Sequence, residues 1–189
     1  MAANMRNPSG RRGNPWSLAI WSFAGGLLLL PLVAMQFTDE MNWTASDFAV
    51  FGAMLAVACG AYEFAARMSG SVAYRAGAGL AIVAGFVLVW VDLAVGIIEE
   101  TTHPANAMFA GVLAVGVLGA LIARFRPQGM ARALVATAIA QTLAGAIGLI
   151  FFRGEGMNHG AALTVLTGLL VAMWLVSAWL FRRSARTTP

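Results

Sequence analysis

The chain has 189 residues, 60% of them hydrophobic and only 11% charged, against roughly a quarter charged in a soluble domain. So few polar groups cannot cover a surface in water, so a soluble domain is excluded and an integral membrane protein is expected. The net charge of +4 and the isoelectric point of about 10.6 do not point to nucleic acid, because the arginines lie at the ends of apolar segments, where orientation signals belong.

Six segments in chain order reach about the 20 apolar residues that cross a hydrocarbon core. They are residues 16–37, 47–66, 76–98, 107–123, 133–152 and 161–181. None alternates apolar and polar residues as a barrel strand does. Helices satisfy their own backbone hydrogen bonds, which lipid requires. The expected fold is therefore all-α, a polytopic six-helix transmembrane bundle over 16–181 with tails at 1–15 and 182–189. The first segment has a basic flank, but its apolar run is too long for a cleaved signal peptide, and Pro31 within it predicts a kink. Thr44 and Ser46 are candidate caps for the second helix.

Charge sorts the connections. Arg6, Arg11, Arg12, Arg67, Arg75, Arg124, Arg126, Arg132, Arg182, Arg183 and Arg186 fall on one side. Asp39, Glu40, Asp47, Glu99, Glu100 and Glu155 fall on the other, with Arg153. The positive-inside rule then makes both termini cytoplasmic. Arg67, Arg124 and Arg182 lie 57 and 58 residues apart, which suggests three tandem helical hairpins. Two inverted three-helix halves are the alternative, and positive-inside spacing alone also accounts for the pattern.

Small residues recur at every fourth position: Gly52, Ala56 and Gly60 in the second segment, Gly77, Ala81 and Gly85 in the third. Such faces let helix backbones approach closely in lipid. They mark these two segments as central packing elements or as a subunit interface, although a chain rich in Gly and Ala produces some such pairs by chance. Trp16, Trp21, Trp43, Trp174 and Trp179 are read as interfacial anchors, and Trp90 lies deeper.

Two carboxylates fall well inside the segments, where a charge is costly and defaults to a functional hypothesis. Glu63 is four residues before Arg67, so the expectation is an ion pair at the cytoplasmic interface. Asp92 is the only charged residue between Arg75 and Glu99. It is read as a proton or cation site, or as a protonated carboxyl holding helices together, with structure preferred. Gln141 is its candidate hydrogen-bond partner, and Trp90 completes the candidate intramembrane polar site.

Cys59 is the single cysteine, and His103 and His159 are the two histidines, both in polar loops. An internal disulfide, a CxxC metal site and a bis-histidine haem are therefore not expected. His103, His159, Met41 and Met157 have the chemistry for a soft metal ion, but no ligand spacing supports one. No hydrolase elbow, phosphate loop or HExxH motif occurs. Neither an enzyme nor a bound metal or cofactor is expected.

Three stretches carry a resemblance: residues 35–48 (MQFTDEMNWTASDF), 92–98 (DLAVGII) with Pro104-Ala105-Asn106 beyond, and 122–127 (IARFRP). They resemble a group of small bacterial multi-pass integral membrane proteins of unassigned function, over roughly the first five segments. The resemblance implies a bacterial inner membrane and no particular activity. The expected role is a non-catalytic accessory or scaffold component of a membrane assembly. Its partners are the lipid bilayer and a second copy or other membrane-protein subunits, with no nucleic acid. The alternative is a small transporter or channel with a proton or cation site at Asp92.

Overall fold

The structure, a computed structural model, describes residues 15–38, 42–94, 97, 106–151 and 157–187. Among these residues there are six α-helices and no strand. They are α1 (Pro15–Ala34), α2 (Ala45–Met68), α3 (Val72–Ala94), α4 (Ala107–Ile122), α5 (Pro127–Phe151) and α6 (Met157–Thr187). All but α4 are long and apolar enough to cross a membrane. At about 1.5 Å per residue, the 16 residues of α4 span about 24 Å.

The helix ends differ from the apolar segments because charge ends an apolar run without ending a helix. α5 begins six residues earlier than its apolar run, at Pro127, and α1 begins at Pro15. Proline suits the first helical position, where its missing N–H costs nothing. α6 continues through Arg182, Arg183 and Arg186, so the expected tail from 182 is helical as far as Thr187. α3 is described as far as Ala94, and Ile97 beyond it lies in a bend. α1 runs through Pro31 and ends one turn later.

The chain forms two compact units, Met1–Glu63 and Phe64–Pro189, with the boundary inside α2. In the first unit, Thr44 caps α2. Its backbone N–H and its hydroxyl both donate to Asp47 Oδ2 at 2.7 Å, a variant of the capping box with Asp at its third position. The Trp43 ring sits edge-on to Phe48 and Phe51, with centroids 5.3 and 5.5 Å away. A Cβ on Gly52 would lie 3.7 Å from Leu28 of α1.

In the second unit, α5 packs against both α4 and α6, and α6 packs against α3. α3 and α4 are neighbours in sequence but share little surface. The core between these helices holds Leu88, Phe109, Val112, Leu134, Leu170, Trp174 and Phe181. One end of the unit is tied by polar contacts. Tyr74 Oη donates to the Phe125 carbonyl at 2.9 Å, and its ring sits edge-on to Phe181 at 4.9 Å. Arg75 donates to the carbonyls of Ser69 and Ala66 at the end of α2, at 3.1 and 3.2 Å. α4 closes with a Schellman turn. Phe125 N–H donates to the Ala120 carbonyl and Arg124 N–H to that of Leu121. The turn puts Arg124 and Phe125 at φ of 49° and 56°, where glycine is usual.

Candidate functional site

Close approaches at glycines set the register of the second unit. A Cβ on Gly77 would lie 3.2 Å from Phe181 Cδ2, and one on Gly85 would lie 3.8 Å from Trp174 Cη2. α3 and α6 are therefore antiparallel. A Cβ on Gly85 would also lie 3.6 Å from Leu113 of α4. On the other side of α4, Gly116 faces Thr137, and a Cβ on Gly119 would come within 2.7 Å of Ala133. Between α5 and α6, a Cβ on Gly145 would come within 2.6 Å of Thr167.

Seven residues beyond Gly85, and on the same face of α3 as Gly85 and Leu88, stands Asp92. It belongs to the last turn of that helix. Seven residues back along α6 from Trp174 is Thr167, and seven back along α4 from Leu113 is Asn106. Equal rise brings Asp92, Asn106 and Thr167 to one level, which Gly145 shares through its contact with Thr167. Gln141 lies one turn deeper on α5 and is 1% exposed. α3 ends and α4 begins at this level, while α5 continues for six residues, about 9 Å.

This layer is polar and incompletely paired. Asp92 Oδ1, Gln141 Oε1 and Thr167 Oγ1 are buried without a hydrogen-bond partner among the described residues, as is Trp174 Nε1 about 10 Å deeper beside Gly85. Such an atom ordinarily costs about 1–3 kcal/mol. Other helical threonines avoid that cost by bonding the carbonyl four residues earlier. Thr137 does so to Ala133, Thr142 to Ala138 and Thr164 to Gly160, at 2.7–2.9 Å. Thr167 does not, and its Oγ1 would lie 2.7 Å from a Cβ on Gly145 of α5. Asp92 and Gln141 sit on different helices of this layer, one turn apart in depth. The Trp90 ring stacks on Phe86, with centroids 6.4 Å apart.

Glu63 takes donors from α1. Its Oε1 accepts from the Ser17 hydroxyl and, at 2.9 Å, from Trp21 Nε1. Ser17 and Trp21 are one turn apart on one face of α1. Arg67 is exposed. Among the packing residues, Gly77, Ala81 and Gly85 lie on the covered side of α3. On α2, Gly52 touches Leu28, Ala56 is exposed, and a Cβ on Gly60 meets open space among the described residues. Trp174, read as an interfacial anchor, is instead buried to 4% exposure beside Gly85.

Sequence reasoning did not select Thr167, Asn106, Gly119 or Gly145. The available signal was spacing: Thr167, Leu170, Trp174 and Phe181 repeat at intervals of three, four and seven along α6. Asp39, Glu40, Met41, Glu99, Glu100, His103, Arg153 and Glu155 lie outside the described residues, as do the side chains of Met157 and His159. Among the described residues, no group of three or more His, Cys, Asp or Glu is placed to hold a metal ion. No protein-family model, curated protein or solved structure matches the chain.

Proposed function

We propose that this protein is a six-span inner-membrane protein of bacterial type with both termini in the cytoplasm. It serves as a non-catalytic component of a membrane assembly. The arginine-rich ends of α2, α4 and α6 support the orientation. A 16-residue α4 spans by tilting little and by thinning the bilayer around it.

One observation carries the assembly reading. α2 presents Ala56 and Gly60 on one face, and both are exposed. In lipid, a small-residue face is where another helix backbone approaches closely. On α3 the equivalent face already has its partner, α6. The occupant of the α2 face is a transmembrane helix of a second copy or of another subunit.

The test is gentle extraction at endogenous expression followed by native mass spectrometry. A homo-oligomer or a stoichiometric complex is expected, and Gly60→Leu should dissociate it. A monomeric wild type, or an unchanged assembly in Gly60→Leu, overturns the reading.

A further inference from the structure

We propose that the layer formed by Asp92, Thr167 and Gln141 binds one hard monovalent cation, with sodium as its simplest probe. The inference is independent of the assembly reading and goes beyond it.

Three observations converge. First, Asp92 Oδ1, Thr167 Oγ1 and Gln141 Oε1 are all oxygens, all buried and all without a hydrogen-bond partner among the described residues. They come from three helices, α3, α6 and α5, and the helix register brings them within one turn of the same depth. Second, Thr167 forgoes the bond to its own backbone that Thr137, Thr142 and Thr164 make. Third, Asp92 occupies the last turn of α3. A helix C-terminus presents carbonyl oxygens and partial negative charge, which attract cations.

Oxygen-only donors suit a hard ion and not a soft one. A single carboxylate balances a single positive charge. Among the described residues no cationic side chain stands at this level: Arg75, Arg124, Arg126, Arg132, Arg182 and Arg183 lie toward the other end of the unit, roughly 20–27 Å away by helical rise. An ion held by helix ends that stop short inside a bundle reuses a known solution to placing charge at membrane depth. Gly145 belongs to the same design. Its missing side chain is what lets α5 approach Thr167.

The test uses the full chain purified in detergent. Thermal unfolding is followed as sodium chloride replaces choline chloride at constant ionic strength, and radioactive sodium binding is measured alongside. The expected result is one saturable site per chain and a midpoint raised by about 5 °C at saturation. Asp92→Asn should abolish both, and Thr167→Val should weaken binding at least tenfold. Absence of sodium binding in the wild type, or undiminished binding in Asp92→Asn, overturns the proposal. Should Asp92→Asn fail to fold, Thr167→Val decides: unchanged affinity in that near-isosteric variant also overturns it. Native mass spectrometry of the same preparations reads subunit composition separately, so a failed cation site and a failed assembly are distinguishable.

Discussion

A methyl group on Gly145 would come within 2.6 Å of Thr167 Cγ2 and 2.7 Å of its Oγ1. Contact this close leaves no room for any side chain, so α5 and α6 meet through backbone on one side and threonine on the other. Gly145→Ala should therefore cost about 1–3 kcal/mol, as overpacking does. Reversible unfolding in mixed micelles measures it. Adding Thr167→Ala should recover most of the loss, because that change removes both close atoms. An additive double variant would show that the two positions do not compete for the same space.

Ser177 Oγ donates to the Gly77 carbonyl at 2.6 Å, across 100 residues of sequence. Both residues are buried. Hydrogen bonds between helices in lipid average about 0.6 kcal/mol. Ser177→Ala should lose about that much and leave the fold unchanged, whereas Ser177→Val should lose more through crowding at Gly77. Unfolding midpoints of the two variants distinguish a lost bond from a lost fit.

Glu63 gathers the Ser17 and Trp21 donors from one face of α1. Glu63→Gln keeps an acceptor oxygen and should preserve the attachment. Glu63→Leu removes it and should free the start of α1. The readout is Trp21 fluorescence quenching by a water-soluble quencher, unchanged in the first variant and increased in the second. Equal quenching in both would assign the attachment of α1 to other contacts.

Arg124 holds a left-handed conformation at the residue after the α4 cap, with φ of 49°. A side chain there costs roughly 1 kcal/mol relative to glycine. Arg124→Gly should raise stability by up to about 1 kcal/mol. The Schellman bonds of Phe125 and the Tyr74 contact to its carbonyl stay in place. A fall in stability would mean that the guanidinium contributes more than the backbone strain costs.

The helical class and all six segments were legible in the sequence because length and apolarity alone carry that signal. Boundaries were not. Hydropathy starts the fifth segment only after Arg132, but Pro127 already opens α5, and the proline rule at the first helical position would have found it. The described part of α3 runs to Ala94, which puts Asp92 in its last described turn.

Which helix is central was also hidden. The regular four-residue spacing of Gly52, Ala56 and Gly60 drew attention to α2, where Ala56 and Gly60 are exposed. Both α5 and α6 are packed on two sides, and the small residues of α5 divide between two faces: Ala133 meets α4 and Gly145 meets α6. Two overlapping stripes on a uniformly apolar helix leave no single periodic signal. Thr167 was passed over because a threonine in such a helix ordinarily bonds its own backbone, and only coordinates show that this one does not.

The Ser177–Gly77 contact also sets an order of events during synthesis. α3 leaves the ribosome roughly 5–20 s before α6 at ordinary elongation rates, and its Gly77 side has no partner until then. The nascent chain therefore waits in the bilayer with a backbone-exposing groove open, a period in which an insertase or a membrane protease can engage it. A truncation that deletes α6 would prolong that state indefinitely, so such a fragment should be degraded rather than accumulate.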